Sequence, residues 1–180
     1  MWTWVKKLLA VQRFVDEEQA LVAGLLNASL LIFIATGLVL NIALLLVDPG
    51  GSSVLSILLW LSFVVLWVVA RRGSYRMVRL CGTLLCLAIW TLVTLNGWHN
   101  GGLRNLASTS YFALVVVAGL LLGEIGVIGF GVLSLVSSLA LYFGEVEGLI
   151  TSTGRSVRFE DWVKFSLILI TVIQIGRAHV

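Results

Sequence analysis

Long apolar stretches separated by short polar segments dominate the chain, and they predict membrane-spanning helices. A helix that crosses the hydrocarbon core, about 30 Å thick, needs about 20 mainly apolar residues, because each residue adds about 1.5 Å. Six stretches approach or exceed that length: Ala20–Val47, Val54–Ala70, Leu80–Leu95, Ala107–Leu122, Ile125–Phe143 and Trp162–Ile175. Lipid cannot satisfy exposed backbone groups, so the expected fold is all-α, a polytopic transmembrane helical bundle of six spans.

The distribution of Lys and Arg predicts how these stretches cross the membrane, since cytoplasmic loops carry an excess of these residues. With the N-terminus in the cytoplasm, seven cations fall inside the cell: Lys6, Lys7, Arg13, Arg71, Arg72, Arg76 and Arg79. Four fall outside, once Arg177 is set aside: Arg104, Arg155, Arg158 and Lys164. We therefore expect a multi-pass protein of the inner (plasma) membrane with both termini in the cytoplasm.

The stretch Tyr111–Phe143 admits two interpretations. As one helix, its 33 residues would be about 50 Å long, far more than the core thickness. Glu124 would then lie in mid-membrane, at a cost of a few kcal/mol. A hairpin that turns at residues 123–126 puts the same carboxylate at the surface. The residues favour the hairpin, and the single helix stays open.

Residues 1–15 precede the first long stretch and predict an interfacial amphipathic helix. Apolar residues recur there at helical spacing, accompanied by three cations: Trp4, Leu8, Val11 and Val15 with Lys6, Lys7 and Arg13. The membrane region is then expected over residues 16–174. Asp16 and Gln19 are placed as a capping pair for its first helix, although a solvated acidic cluster fits these residues equally well.

Composition narrows the classes of function. Hydrophobic residues make up 59% of the chain and charged residues 12%, against about 45–50% and 25% in soluble domains. The net charge of +3 comes without a basic block suited to nucleic acid. Cys81 and Cys86 lie five apart on one predicted helix and face different directions. They are expected to be packing residues rather than a disulfide or a metal pair.

The last six residues, 175–180, have the sequence IGRAHV. This equals the translation of a common sequencing-library adapter, ATC GGA AGA GCA CAC GTC, which a stop codon follows. We expect that these residues are adapter read-through, that Arg177 and His179 carry no function, and that the natural chain continues past Gln174. A genuine six-residue tail is the alternative.

Catalytic and cofactor motifs do not stand out. The sequence has no GxGxxG opening a helix after a strand, no P-loop, no HExxH and no paired CxxC, and His99 is the sole histidine outside the tail. We expect no catalytic residue, no cofactor and no metal site. The polar loop Asn96–Asn105 combines an aromatic ring, a titratable histidine, paired glycines and an arginine. It is the candidate signal-reading segment, through Trp98, His99, Gly101, Gly102 and Arg104.

Two further features concern how the predicted helices and loops contact each other. Gly119 and Gly123 form a GxxxG pattern, which lets helices approach closely, so both are expected at a helix–helix contact. Arg104 is expected to pair with a carboxylate of the second predicted outer loop, where four are available: Glu145, Glu147, Glu160 and Asp161.

Polar residues within the apolar stretches are few. Asn27 and Asn41 lie fourteen apart in the first stretch and share a helix face, either as contacts between helices or as the flanks of a ligand cavity. Ser134, Ser137 and Ser138 are expected to pack or hydrogen-bond between helices, with a small polar path as the alternative. Deep ionisable residues are missing from these stretches, which counts against an ion-coupled carrier.

One set of residues resembles a known family. It comprises Gly101-Gly102-Leu103-Arg104, Tyr111 at the start of a span, Gly119-Leu-Leu-Leu-Gly123, a further span ending in Glu145 and Gly148, and Trp162 opening the last span. The pattern resembles the N-terminal membrane region of bacterial multidomain sensor proteins. In those proteins a six-span module precedes cytoplasmic signalling domains, most often a histidine kinase and sometimes a diguanylate cyclase.

The resemblance implies a membrane-embedded signal-input and anchoring module, with no enzyme activity of its own. A cytoplasmic output domain, most readily a histidine kinase, would follow beyond this sequence. The implied partners are the lipid bilayer and a second copy that dimerises through the output region, and the ligand stays open. A small six-span substrate-binding subunit of a membrane transporter is the alternative, on size and topology.

Overall fold

The computed structural model describes residues 17–47, 53–99, 102, 109–150 and 158–178. Those residues form six helices: α1 (Glu17–Val47), α2 (Ser53–Arg72), α3 (Tyr75–His99), α4 (Ser110–Leu122), α5 (Glu124–Val146) and α6 (Phe159–Ala178). They contain no strand, so the all-α prediction is confirmed. The predicted interfacial helix over residues 1–15 lies outside the described part of the chain.

Three of the described helices are long and apolar enough to cross a membrane: Glu17–Ala43 within α1, α3 and α5. The apolar helix α4 is shorter, since its 13 residues span only about 20 Å. Large apolar side chains point outward from the spans, among them Ile32 at 65% and Val136 at 60% exposure. Such a surface suits lipid rather than water, and the helices are consistent with a membrane protein.

Helices extend beyond the apolar stretches that predicted them. α2 ends at Arg72 and α3 begins at Tyr75, so Gly73 and Ser74 alone connect them. A hydropathy pattern stops at arginine, but a helix does not, because arginine is a good helix former. The arginines of the predicted loop therefore lie on helical turns: Arg71, Arg72, Arg76 and Arg79.

The last helix also begins earlier than expected, at Phe159 rather than Trp162. The backbone N–H of Arg158 donates to Asp161 Oδ2 at 3.1 Å. This is one half of a capping box, in which the side chain of the third helical residue satisfies the N–H of the capping residue. A polar segment that hydropathy assigns to the loop thus becomes the first turn of α6.

The chain divides into two units, residues 1–85 and residues 86–180. In the first unit, α1 and α2 form a helical hairpin, and a tryptophan of α2 hydrogen-bonds to the backbone of α1. Trp60 Nε1 donates to the backbone oxygen of Ile34 at 2.8 Å. Gly37, one turn further along α1, leaves room for the ring, because an added Cβ there would lie 2.7 Å from Trp60 Cδ1.

In the second unit, α4, α5 and α6 share one apolar core. Val115, Val127 and Leu169 come from these three helices and are fully buried. Phe112 and Phe165 pack against them, with ring centroids 4.9 Å apart. Each of the three helices thus contributes a fully buried residue to this core, and α4 does so despite its short length.

The chain turns between α4 and α5 at Gly123, whose φ is 75° and ψ −157°. This region is open to glycine and strained for other residues. The Gly123 N–H donates to the Gly119 oxygen at 2.9 Å and so completes α4. Beyond the turn, Val127 packs against Gly119, where an added Cβ would lie 2.7 Å from its Cγ2. The stretch Tyr111–Phe143 is therefore a hairpin and not a single helix.

Candidate functional site

The described part of the candidate signal-reading loop meets the end of α5. Gly102 is buried and has a φ of +68°. A Cβ added there would overlap the carboxylate of Glu145, at both Oε2 and Cδ. The positive φ favours glycine at this position, and an added Cβ would displace the end of the Glu145 side chain. The loop and the end of α5 are held directly against each other.

Trp98 and the segment after α5 enlarge this contact. Gly97 faces Leu141, since an added Cβ would lie 2.9 Å from Leu141 Cδ1. The equivalent position on Gly144 lies 3.3 Å from Trp98 Cζ3 and 2.9 Å from Ile150 Cδ1. The N–H of Ile150 donates to the Gly144 oxygen at 2.9 Å, so the chain folds back over α5. We call this group the α5-end cluster: Gly97, Trp98, Gly102, Gly144, Glu145 and Ile150.

The five loop residues that the sequence singled out have different positions. Trp98 and Gly102 belong to the α5-end cluster, with Trp98 still 41% exposed. His99 is exposed at the last residue of α3. Gly101 and Arg104 lie outside the described residues, and the ion pair of Arg104 stays a prediction.

Hydroxyl groups join the helices of the second unit further along α5. Trp90 Nε1 of α3 donates to Ser137 Oγ at 3.1 Å. Thr94 Oγ1 and Tyr111 OH lie 2.7 Å apart, and Ser137 is a second hydrogen-bonding neighbour of the Tyr111 phenol. These bonds connect α3, α4 and α5 at the level of Ser137.

A second set of hydroxyls lies between α5 and α6. Trp162 Nε1 donates to Ser138 Oγ at 3.3 Å. The two helices run in opposite directions, so Ser134, one turn before Ser138, is level with Ser166, one turn after Trp162. Ser134 is fully buried and Ser166 is 8% exposed, and neither hydroxyl has a hydrogen-bond partner within the described part of the chain. We call Ser134, Ser137, Ser138 and Ser166 the serine seam.

The glycines of α4 and α5 have separate roles. Gly119 is buried at the contact between α4 and α5, as described above. Gly123, which was expected at a helix contact, forms the turn instead. Gly131 faces α6, since an added Cβ there would overlap Ile173 Cδ1. Glycine therefore permits close approach on two sides of α5.

The two asparagines of α1 also differ. Asn27 Oδ1 accepts a hydrogen bond of 2.7 Å from Trp67 Nε1 of α2. Asn41 Nδ2 donates to the Gly37 oxygen of its own helix at 2.8 Å. Asn27 thus acts between helices.

Side chains that could bind a metal ion do not cluster in the described residues. No cluster of three or more His, Cys, Asp or Glu side chains that could hold a metal ion occurs there. Cys81 and Cys86 are free and buried. Glu124 Oε1 lies 2.8 Å from Arg177 Nη2, with both side chains about half exposed.

Sequence reasoning missed the tryptophan partners of the serine seam. A buried indole N–H usually has a hydrogen-bond acceptor. The sequence therefore indicates that Trp90 and Trp162 need acceptors. The identity of the acceptors depends on how each helix is rotated about its axis, and hydropathy does not encode that rotation. Ser137 and Ser138 were singled out as residues, but not as the partners of these rings.

No family model, curated protein or solved structure matches the sequence. The arrangement of the second unit is therefore the available guide to function. One helix, α5, contacts the candidate loop at one end through Glu145 and contacts α6 along its serine face.

Proposed function

We propose that residues 16–174 form the membrane-embedded signal-input and anchoring module of a bacterial sensor protein. The output domain, a histidine kinase, follows the last helix in the complete protein and mediates dimerisation. One observation carries the proposal: Gly102 of the candidate loop rests on the Glu145 carboxylate of α5. The same helix holds Trp162 of the last helix through Ser138. A displacement of the loop therefore has a direct route to the helix that leaves the membrane.

The proposed topology has six spans with both termini in the cytoplasm. α2 has 20 residues, which is about 30 Å and enough to cross the hydrocarbon core. α6 begins at Phe159, and in the proposed protein the natural residues that follow Gln174 complete its span. α4 has 13 residues, about 20 Å, which is less than the core thickness, and its crossing stays a prediction. The α5-end cluster then faces outward, and the turn at Gly123 faces the cytoplasm.

In this scheme α6 is the transmitting helix. The face that α5 presents to it carries small side chains, Ser134, Ser138 and Gly131. Small side chains present low steric barriers to a helix that slides or rotates, and shifts of about 1–2 Å are typical of helix-mediated switching. Arg104, two residues beyond Gly102 in the sequence, is proposed to pair with a carboxylate of the second outer loop, where four are available: Glu145, Glu147, Glu160 and Asp161. As a pair at a wet interface it contributes about 0–1 kcal/mol to stability, and its role is to couple loop positions.

Genomic sequence past the codon for Gln174 tests the proposal. We expect the open reading frame to continue, without the adapter-derived codons, into a domain with a phospho-accepting histidine and ATP-binding motifs. A natural stop codon shortly after Gln174, with no signalling domain in frame, would contradict it.

The competing assignment is the substrate-binding subunit of a transporter, and a binding measurement separates the two. We expect the purified 180-residue chain to show no tight binding across a panel of vitamins and related metabolites. Tight, saturable binding of one such compound would favour the transport subunit over the sensor module.

A further inference from the structure

A concavity of about 340 Å³ lies at the C-terminal end of α2, in the first unit. Its lining, among the described residues, consists of Trp67, Val68, Arg71 and Arg72. Two cations and two apolar side chains thus share one surface.

The position of the concavity along α2 matches the depth of lipid headgroups. α2 has 20 residues, so as a membrane span it covers about 30 Å, the thickness of the hydrocarbon core. Arg71 and Arg72 form its last turn and lie at the boundary, with Val68 and Trp67 one turn deeper. A ligand that bridges the cations and the apolar side chains therefore lies across the interface.

Trp67 holds the wall of the concavity in place. Its Nε1 donates to Asn27 Oδ1 of α1 at 2.7 Å, which fixes the ring. The Arg71 guanidinium lies over that ring, 5.2 Å from its centroid. A guanidinium stacked on an aromatic face binds a phosphate through the N–H groups in its own plane. The cation is therefore oriented before any ligand arrives, which lowers the entropy lost on binding.

The local charge balance favours an anion. In the antiparallel hairpin, the start of α1 comes to the same end as the end of α2, and it carries Glu17 and Glu18. Against these two carboxylates, the described part of the connection between α2 and α3 carries four arginines: Arg71, Arg72, Arg76 and Arg79. The cytoplasmic leaflet, which this end faces in the proposed topology, is rich in anionic lipids.

We propose that Trp67, Val68, Arg71 and Arg72 form a binding site for the headgroup of an anionic phospholipid. The two guanidinium groups hold the phosphate, and Val68 and Trp67 contact the glycerol and the first methylene groups of the acyl chains. The apolar half of the lining is what selects a lipid over a free phosphate ion. The site rests on the proposed topology, with α2 as a membrane span that ends at the cytoplasmic leaflet, and is otherwise independent of the signal-input function.

Native mass spectrometry of the 180-residue chain tests this site. The protein is reconstituted in nanodiscs with equal amounts of phosphatidylglycerol and phosphatidylcholine, extracted, and examined for lipid that stays bound. We expect phosphatidylglycerol to be retained about tenfold over phosphatidylcholine, since each arginine near the surface contributes substantially to the attraction of anionic lipid. Equal retention of the two lipids by the unaltered chain would overturn the proposal without reference to any variant.

Two double variants separate this site from the general positive charge of the connection. Arg71→Gln/Arg72→Gln removes both guanidinium groups of the concavity and is expected to abolish the preference. Arg76→Gln/Arg79→Gln removes the same charge from neighbouring turns that do not line it, and is expected to keep most of the preference. Equal losses in both variants would assign the effect to bulk charge and contradict a defined site. Thermal denaturation of each variant confirms that it is folded.

A competition distinguishes the lipid from a soluble phosphate. Inorganic phosphate is added in excess, against chloride at equal ionic strength. We expect both salts to displace little phosphatidylglycerol from the unaltered chain. Displacement by phosphate alone would mean that the site takes a soluble phosphate group, and the lipid assignment would be wrong.

Discussion

Two serines one turn apart on α5 are in opposite hydrogen-bonding situations. Ser138 accepts from Trp162 Nε1 and donates to the Leu135 oxygen, at 3.3 and 2.8 Å. Ser134 is fully buried, and its hydroxyl has no hydrogen-bond partner among the described residues. A satisfied hydroxyl contributes to stability, whereas an unsatisfied one carries its desolvation penalty uncompensated. The same chemical change at the two sites should therefore have different effects.

We expect Ser138→Ala to lower the free energy of unfolding by about 0.5–1.5 kcal/mol, because the Trp162 N–H loses its acceptor in an apolar setting. The matched control Ser134→Ala should leave stability unchanged or raise it by up to about 1 kcal/mol. Denaturation in a mild detergent measures both. Equal destabilisation by the two variants would mean that Ser134 is hydrogen-bonded in the folded protein.

At the scale of helices, glycine sets how closely α4 and α5 approach. An added Cβ at Gly119 would lie 2.7 Å from Val127 Cγ2, and Val127 is fully buried and stiff at its branched carbon. At Gly129, on the exposed face of α5, nothing lies within 4 Å of the same position. The surroundings of Gly119 are thus crowded and those of Gly129 are open, although both glycines are helical and belong to the same hairpin.

Gly119→Ala should therefore destabilise the protein by about 1–3 kcal/mol, as overpacking does. Gly129→Ala should be neutral or stabilise it by up to about 1 kcal/mol, because alanine favours the helix. Thermal unfolding in detergent compares the two. If Gly119→Ala unfolds at the same temperature as the unaltered chain, the close contact between α4 and α5 is wrong.

The helices themselves could be predicted from the sequence, while most side-chain contacts could not. Apolar length located all six described helices, and the helical length limit together with Glu124 favoured the turn found at Gly123. The ends were misplaced where charged residues continue a helix, as at Arg72 and Asp161. The contact of Gly102 with Glu145 depends on loop geometry and on helix rotation, neither of which a hydropathy pattern contains.

At the scale of the whole molecule, the two ends of the second unit are chemically different. One end carries the α5-end cluster, and the other carries the turn at Gly123. The proposed topology puts the first outside the cell and the connection between α2 and α3 inside. Gly102, buried with a positive φ, is unsuited to a probe. Ser74 and Glu147 are exposed and offer better positions.

Cysteine labelling at these two positions measures the orientation. With a membrane-impermeant maleimide, Glu147→Cys should react in intact cells, and Ser74→Cys should react only after the membrane is opened. The native Cys81 and Cys86 are buried, so the unaltered chain supplies a low background. Labelling of Ser74→Cys but not Glu147→Cys in intact cells would invert the topology.

The central claim, that the α5-end cluster passes a signal to the last helix, concerns the complete protein. Gly102 and Gly148 both have positive φ values, +68° and +73°, so alanine strains the backbone at both. At Gly102 the added Cβ also overlaps Glu145, whereas at Gly148 nothing lies within 4 Å. The two substitutions share the backbone strain and differ in the contact that is proposed to carry the signal.

With the proposed histidine kinase as the output domain, the most direct test is the autophosphorylation rate of the complete protein in native membranes, with Gly102→Ala compared against Gly148→Ala. We predict that Gly102→Ala changes the rate by about fivefold or more, the lower range of allosteric coupling, while Gly148→Ala stays within about twofold of the unaltered protein. Normal output from a folded, membrane-inserted Gly102→Ala variant, or equal changes in both variants, would contradict the account.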